Sequence, residues 1–473
     1  MADTVDTTAQ FRNQLATPGG RALLIAAIGL VMLIPLLLVQ GIVGERMQRQ
    51  DSVTGEIARF WGKNQTIVGP VLVAPIEKRS PEEAESEFGR AWVKVAKPLR
   101  GPRGHVVVLP EKLDIKASLP HEVRHRSIFD AVVYRATMSV RADFVLPDLA
   151  ALTGPDADPK AAIAWDRAQL VLGITDTAAI RAIGESSFGD ATPVFEPGTG
   201  LATGLGTGIH AAAGGIDPAA GNLSFSSVVE LNGSDTFFVS PVGKTTHFSL
   251  TSDWPHPSFD GAFLPTDRDI SDDGFSAAWE IPHLARPFPQ AWIAAHGGDG
   301  PVYSPASYAG GVRIYQPVDL YQLTSRAAKY GILFVALTLL TFFILECVTG
   351  RRLHVVQYGV IAGGLVLFFL LLLSLAEHIG FTAAYVVAAG AEIAVIVAYA
   401  TAALADRRQA VIAAAVLTAL YVALYFILKA EDYALLAGAL LLFGALTATM
   451  YATRNLRHND AARAVDEAAG QPA

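Results

Sequence analysis

Cysteine, charge and basic clusters are the features that the sequence has little of. Cys347 is the only cysteine in 473 residues, so an intramolecular disulfide is excluded. Charged residues make up 17% of the chain and the net charge is −8. Because no basic block is present to hold phosphates, nucleic acid is excluded as a partner. Because no intramolecular disulfide can form, any large domain exposed to water must be stabilised by a hydrophobic core of its own.

Apolar residues, in contrast, make up 52% of the chain, and the excess lies in Ala22–Val43 and after residue 329. The first run has about 22 residues, enough to cross a hydrocarbon core of about 30 Å at about 1.5 Å per residue. The apolar part of a secretory signal peptide is shorter, about 7–15 residues, and ends at a small-residue cleavage site. Because this run continues into Gly44-Glu45-Arg46, we interpret it as a retained membrane helix.

Further apolar runs, joined by short connections, predict a C-terminal bundle of about five transmembrane helices. The runs are Gly331–Thr349, Val355–Ala376, Phe381–Leu404, Val411–Leu428 and Tyr433–Tyr451. The fold class is thus a membrane protein with a single N-terminal transmembrane helix, a large β-rich periplasmic domain and this bundle. The predicted boundaries are residues 1–21 for the N-terminus, 22–43 for the first helix, 44–329 for the domain, 330–452 for the bundle and 453–473 for the tail.

The distribution of arginine predicts the orientation. Successive connections place the arginines on one side of the membrane, while the opposite connections, 377–378 and 429–432, are almost free of positive charge. Because positive residues favour the cytoplasmic side, both termini are predicted to be cytoplasmic and the large domain periplasmic, in a bacterial inner membrane. The arginines concerned are Arg12, Arg21, Arg351, Arg352, Arg407, Arg408, Arg454, Arg457 and Arg463.

The region between the membrane segments has the periodicity of antiparallel strands. Within Ile128–Phe144, apolar residues from Met138 onward alternate with polar ones, as in a sheet with one buried face, and Phe275–Ile281 alternates in the same way. The segments 237–240 and 247–250, on either side of a Pro-Val-Gly-Lys sequence, are predicted to form a hairpin. The glycine-rich stretch Gly198–Gly215 is predicted to be a surface loop, with the domain divided near it.

The string His121-Glu122-Val-Arg-His125 matches the H-E-x-x-H pattern of zinc proteases. That pattern requires a helix, which places both imidazoles on one face with the glutamate as general base. Pro120 precedes the string directly, and alternating residues follow almost at once, so little more than one helical turn is available. We interpret the string as a polar turn without metal, and keep His121, Glu122 and His125 as weak candidates for zinc.

Two other patterns carry little chemistry. Asp269, Ser271, Asp273 and Glu280 have the count of a calcium loop, but they lead into a period-two stretch, so an Asp-Gly turn is favoured. No G-x-S-x-G sequence is present, and Cys347 lies in a predicted membrane span, so no nucleophile is predicted.

The apolar runs contain two glutamates that we take as candidate binding residues. Glu392 lies near the middle of its run, where an ionised carboxylate costs at least about 2.5 kcal/mol. Glu346 lies near the end of another run. Glu392 is expected to face other helices, either for structural hydrogen bonding or on a path for protons or substrate.

Fourteen strings spread along the chain resemble those of the CreD family of inner-membrane proteins. Val355 stands where the family pattern has proline, and the stretch 198–221 resembles an insertion. The matching strings are Glu45-Arg46, Gly55–Ile57, Gln65–Pro70, Arg126–Phe129, Val133-Tyr134, Trp254–Gly261, Asp273–Trp279, Gln316–Gln322, Lys329–Gly331, Phe342–Glu346, His354–Tyr358, Leu371–Leu375, Glu377-His378 and Glu431–Leu436.

This resemblance implies an inner-membrane protein of cell-envelope integrity and stress response, and it implies no reaction. The resulting hypothesis is a protein that acts by binding or scaffolding, without cofactor and without covalent chemistry. Its partners are the lipid bilayer and envelope or other inner-membrane proteins. Two alternatives stay open, a small-molecule or proton-coupled transporter and a zinc metalloprotease.

Overall fold

A computed structural model of the protein describes residues 18–78, 104–153, 161–200, 206–214, 216, 222–295, 304–314, 320–349, 353–404, 407–430 and 433–453. The chain forms two compact units. Met1–Asp51 and Val318–Ala473 form one, called the membrane unit below, and Ser52–Pro317 forms the other, called the sheet unit.

Long apolar helices make up the membrane unit. Its helices are α1 (Pro18–Val31), α2 (Leu33–Trp61, whose last residues belong to the sheet unit), α4 (Leu320–Thr349), α5 (Val355–Ile379), α6 (Phe381–Leu404), α7 (Arg407–Lys429) and α8 (Ala434–Thr453), and the short α3 (Leu149–Thr153) lies in the sheet unit. Among the described residues, five stretches are long and apolar enough to cross a membrane, the first of them Gly19–Trp61, and the apolar part of α8, Leu435–Tyr451, is shorter. The predicted order of elements, an apolar N-terminal helix, a β-rich region and apolar C-terminal helices, is confirmed.

The N-terminal helices pack against the C-terminal ones. Ile25, Leu36 and Val39 belong to the same buried cluster as Phe334 of α4 and Phe369 of α5. Gly331 of α4 lies so close to Leu36 that a Cβ there would be 2.7 Å from Leu36 Cδ1. The first membrane segment, predicted from its sequence as a membrane helix, is therefore also part of the core of the membrane unit.

Two sheets make up the sheet unit. Their strands are β1 Gln65–Lys78, β2 Gly104–Val108, β3 Lys112–Ser118, β4 His121–Arg126, β5 Phe129–Val145, β6 Ala161–Ile163, β7 Gln169–Ile174, β8 Ile180–Phe188, β9 Phe195–Pro197, β10 Gly208–Ala212, β11 Asn222–Ser234, β12 Thr236–Val239, β13 Thr245–Ser252, β14 Pro257–Gly261, β15 Asp267–Ser271, β16 Gly274–Pro282, β17 Ala291–Ala295 and β18 Gly310–Ile314. One sheet has the order β14-β18-β12-β1-β7-β10-β9, with β2 and β6 also paired with β1 and β17 paired with β2. The other has the order β15-β16-β13-β3-β5-β11-β8, with β4 paired with β5.

The two sheets share one hydrophobic core. Phe237 of β12 lies 6.1 Å from Tyr134 of β5 and 6.4 Å from Phe248 of β13, measured between ring centroids. The Tyr134 hydroxyl also donates a buried hydrogen bond of 2.6 Å to the carbonyl of Thr236. Burial, helped by the carboxylate of Asp235, raises the pKa of Tyr134 well above its ordinary value. The sheet unit is thus a sandwich whose layers are joined by aromatic packing and by one buried phenol.

The predicted alternation is confirmed in both strands. In β5, Met138, Val140 and Phe144 are buried with no exposed surface and Ala142 is 2% exposed, while the polar residues that alternate with them are partly or fully exposed. In β16, Phe275 and Trp279 are buried in the same way. A period of two therefore identified the core-facing residues correctly.

The predicted hairpin over residues 237–250 is wrong. β12 pairs with β1 and β18 in one sheet, whereas β13 pairs with β3 and β16 in the other. The backbone of the connecting loop bonds to other elements, since Ser240 N donates to Ile67 O at 2.9 Å and Lys244 N to Pro110 O at 2.9 Å. The loop therefore passes from one layer of the sandwich to the other.

The predicted division near Gly198–Gly215 is also wrong, because strands from both sides of this stretch pair within the same sheets. β10, which lies inside the stretch, pairs with β7 and β9. Residues 201–205 and 215 lie outside the described residues. Long-range pairing of β1 with β12 and of β5 with β11 makes the sheet unit one body.

Candidate functional site

The carboxylate of Glu346, at the end of α4, is the centre of a buried polar cluster. Arg21 of α1 places its Nε 2.6 Å from Oε1 and donates from Nη2 to Oε2 at 3.0 Å. The Tyr358 hydroxyl of α5 donates to Oε2 at 2.9 Å, and the backbone N–H of Leu353 does so at 3.3 Å. The Glu346 side chain is 6% exposed. Four donor groups from three segments therefore hold one buried carboxylate.

The start of α5 positions Tyr358 in this cluster. His354 is the N-cap of α5, and its backbone N–H donates to Gln357 Oε1 at 2.7 Å, while its ring accepts from Val356 N–H. This capping box fixes the first turn, so Tyr358 projects toward Glu346. Arg351 and Arg352 precede this turn and lie outside the described residues.

A second cluster lies at the other end of α5, around Glu377. The Tyr321 hydroxyl of α4 donates to Glu377 Oε1 at 3.1 Å, and Arg46 Nε lies 3.5 Å from the same oxygen. Arg21 and Arg46 are about 25 residues apart, or roughly 37 Å along a helix, which is comparable to the thickness of a bilayer core. The two arginines therefore join the first membrane segment to the C-terminal helices near both of its ends. Sequence reasoning missed both pairs, although a glutamate at the end of an apolar run signals the need for a partner.

Glu392 has a different environment from Glu346. Its carboxyl lies against Gly364 of α5, where a Cβ would be 2.6 Å from Oε1. Oε1 is inaccessible to solvent and has no hydrogen-bond partner among the described residues. The prediction that Glu392 packs against another helix agrees with this position, and the structure does not bring Glu392 into the cluster around Glu346.

The H-E-x-x-H string forms strand β4, so its interpretation as a turn is wrong. Each residue from His121 to Arg126 pairs with β5, and the turn follows at Ser127, which has φ 60°. On a strand, residues four apart are about 13 Å from each other, too far for one metal ion to bind both imidazoles. The two rings also have different carboxylate neighbours, since His121 Nδ1 lies 2.8 Å from Asp253 and His125 Nδ1 lies 2.6 Å from Asp130.

His121 and Asp253 form a small exposed pair beside Trp254. The backbone N–H of His121 and its Nδ1 both lie 2.8 Å from Asp253 Oδ1, and the His121 ring meets the Trp254 ring edge-on at 5.1 Å. Burial opposes ionisation of Asp253, but the hydrogen bonds from His121 outweigh it and lower the pKa of Asp253 below its ordinary value. This pair stabilises the local structure and leaves His121 engaged.

Arg124 of the string and Arg126 directly after it contact the end of α2. Arg124 lies over the Trp61 ring at 4.2 Å and pairs with Glu122 at 2.8 Å. Trp61 Nε1 donates to the carbonyl of Tyr134 at 3.1 Å, and Arg126 pairs with Glu56. The string therefore has a structural use that its pattern did not suggest.

The calcium-like sequence is an edge hairpin, as the favoured Asp-Gly turn predicted. β15 pairs with β16 from Asp267 opposite Ala278 to Ser271 opposite Gly274, and the turn lies between Ser271 and Gly274. Glu280 is exposed farther along β16. Within the described part of the chain, no group of three or more His, Cys, Asp or Glu side chains is arranged to hold a metal ion.

Comparison with known proteins gives two matches that agree with each other. A family model described as "Inner membrane protein CreD" matches residues 18–459. The inner membrane protein CreD of Escherichia coli (strain K12) is 31% identical over 434 residues, which cover 90% of this chain and 90% of the relative.

Proposed function

The chain belongs to the CreD family of inner membrane proteins, and from that premise we propose that it serves cell-envelope integrity by binding or scaffolding. In this proposal the protein catalyses no covalent chemistry and uses no cofactor. Its partners are the lipid bilayer and other envelope or inner-membrane proteins.

The observation that supports this proposal is that the candidate side chains other than Glu392 are engaged in structural contacts. Glu346 and Glu377 hold helices through Arg21 and Arg46. Glu122 pairs with an arginine that lies over Trp61, close to where α2 ends. Because these charged residues hold helices and strands in place, the protein is suited to presenting a rigid surface to a binding partner.

We further propose that both termini are cytoplasmic and that the sheet unit is periplasmic. The exposed Arg407 and Arg408 at the start of α7 support this orientation, because positive residues favour the cytoplasmic side. The sheet unit follows the first membrane segment and precedes α4, so a single crossing places it on the opposite side from the N-terminus.

Cysteine labelling tests the orientation in the full chain. In a Cys347→Ala background, Asp272→Cys places a thiol in the exposed β15–β16 turn and Arg408→Cys places one at the start of α7. A membrane-impermeant maleimide added to spheroplasts should label the first variant at once and the second only after permeabilisation. The reverse pattern would contradict the proposed orientation.

Site-specific photocrosslinking in native membranes tests the binding role. A photoreactive residue at Leu284, whose side chain is 85% exposed, should capture a defined protein, and one at Asp272 serves as the matched surface control. Zinc content is measured on the same material. One zinc per chain that is lost on His121→Ala, or crosslinks to no protein from any exposed position, would contradict a metal-free binding role.

A further inference from the structure

Glu392 is the one strongly acidic or basic residue in the interior of the apolar runs. Apart from Glu346 at the end of its run, residues 22–43, 331–349, 355–376, 381–404, 411–428 and 433–451 contain no other Asp, Glu, Lys, Arg or His. The sequence therefore supplies no counter-charge at its depth. This sets Glu392 apart from Glu346 and Glu377, each of which has an arginine partner.

The carboxyl of Glu392 occupies a space that a glycine leaves open. A Cβ at position 364 would lie 2.6 Å from Oε1 of Glu392, whereas a Cβ at the neighbouring position 363 would meet nothing within 4 Å. Oε1 is buried, and no described residue forms a hydrogen bond with it. Oε1 is thus buried within the protein, but no described residue provides it with a hydrogen bond.

The hydroxyl of Tyr421 in α7 is a second polar group of this kind. Tyr421 is 2% exposed, its ring lies 4.7 Å from that of Phe334 and 4.9 Å from that of Phe368, and its hydroxyl has no hydrogen-bond partner among the described residues. Glu392 and Tyr421 interact electrostatically. Two unsatisfied polar groups from adjacent helices therefore act on each other within an apolar, aromatic surrounding.

Within the part of the chain that the structure describes, no ion pair supplies a counter-charge for an ionised Glu392. Tyr421 is the titratable group of α7 that interacts electrostatically with it, while Tyr358 of α5 donates to Glu346 and Tyr385 of α6 donates to the carbonyl of Tyr421. A carboxylate at mid-membrane depth costs at least about 2.5 kcal/mol on insertion scales, and a protonated carboxyl avoids that cost.

We propose that Glu392 is a proton-binding site within the membrane unit, with the Tyr421 hydroxyl as its polar neighbour and Gly364 as the residue that makes room for it. The carboxyl takes up one proton at Oε1 or Oε2 and is neutral at rest, and the ligand of the site is the proton. This site goes beyond the binding role proposed above and does not depend on it.

Labelling with dicyclohexylcarbodiimide tests the site, because this apolar reagent reacts with protonated carboxyls and spares ionised ones. Full-length protein in membrane vesicles at neutral pH should be modified at Glu392, located by peptide mass spectrometry. Glu346, which is paired with Arg21, is the internal control and should stay unmodified. Absence of modification at Glu392, or equal modification of both residues, would overturn the proposal.

Three variants sharpen this test. Glu392→Gln should remove the labelled peptide while the protein still elutes as a single folded species. Gly364→Ala should lower the labelling rate several-fold, because its methyl group crowds Oε1, and Gly363→Ala should leave the rate unchanged. Equal rates in the two alanine variants would overturn the assignment of the space to Gly364. Protection of Glu392 by added Na⁺ would overturn the proton as ligand in favour of a metal cation.

Discussion

Ion pairs with arginine or lysine occur in both units, but their surroundings differ. In the membrane unit, the side chains of Arg21 and Glu346 are 19% and 6% exposed. In the sheet unit, those of Arg313 and Asp260 are 46% and 54% exposed, and those of Lys244 and Glu111 are 48% and 32% exposed. Exposed pairs contribute about 0–1 kcal/mol, whereas breaking a buried pair from one side costs about 3–5 kcal/mol. Ion pairs therefore hold helices together in the membrane unit, whereas in the sheet unit these pairs lie at the surface.

The sheet unit obtains its stability from packing. Its core joins two sheets through closely fitted aromatic rings, with Gly233 leaving space for the ring of Tyr134. Overpacking such a core costs about 1–3 kcal/mol. The two units should therefore fail for different reasons, the membrane unit when a charge loses its partner and the sheet unit when a shape changes.

Arg21→Ala should give the largest loss of stability. The substitution leaves the Glu346 carboxylate buried without its counter-charge, at a cost of about 3–5 kcal/mol. We expect a marked fall in thermal stability in detergent and in the amount of folded protein in membranes. Arg21→Ala combined with Glu346→Gln should recover part of the loss, because the second change removes the stranded charge. A single Arg21→Ala variant as stable as Arg313→Ala would break the comparison between the units.

Gly233→Ala should destabilise the sheet unit by about 1–3 kcal/mol. Its Cβ would lie 2.3 Å from the Tyr134 ring, which is rigid and carries the hydrogen bond to Thr236. Gly214→Ala is the matched control, since a Cβ at that position meets nothing within 4 Å. Thermal unfolding of the full chain, followed by intrinsic tryptophan fluorescence, should separate the two variants. Equal midpoints would show that the Tyr134 region adapts without cost.

Arg126→Ala should change stability by less than about 1 kcal/mol. The Arg126 and Glu56 side chains are 54% and 52% exposed, so water and salt screen the pair. The small effect should shrink further when salt is raised to about 1 M, where the screening length is about 3 Å. A large loss that persists in high salt would mean that this contact, together with Trp61, holds the end of α2 more strongly than its exposure indicates.

Asp253→Asn should give the smallest effect, and one that depends on pH. Because the folded-state pKa of Asp253 is lowered, its stabilisation is present above the unfolded-state pKa of about 3.9 and is lost as pH falls through the folded-state value. The midpoint difference between wild type and Asp253→Asn should therefore be constant well above about pH 4 and shrink progressively as pH is lowered below that value. A difference that stays constant with pH would assign the effect of the substitution to shape.

Part of the candidate site was predictable because it depends on local spacing. Glu346 and Glu392 stand out as acidic residues in apolar runs, and their cost in lipid identifies them without any structure. Their partners were not predictable. Arg21 and Glu346 are 325 residues apart in the chain, and nothing in either local sequence points to the other.

The H-E-x-x-H string also shows that local sequence does not determine tertiary contacts, because here a local pattern suggested a site that the fold does not form. Its residues match a metal-binding pattern, but the pattern has meaning only on a helix. Pairing with β5 makes His121 and His125 strand residues, and this pairing depends on β5 as a whole. Likewise, β12 and β13 are joined by a short loop yet belong to different sheets, since β12 pairs in parallel with β1 and β13 pairs in parallel with β3.

The sequence by itself determined which segments enter the membrane and which faces of the long strands are buried, because both follow from the spacing of apolar residues over a few turns or a few strand positions. The tertiary structure decided which strands pair, which arginine pairs with Glu346, and that Glu392 lies against Gly364. Those outcomes depend on contacts between residues far apart in the chain. The partner of each strand or charged group is set by the fold as a whole, and the local sequence does not specify it.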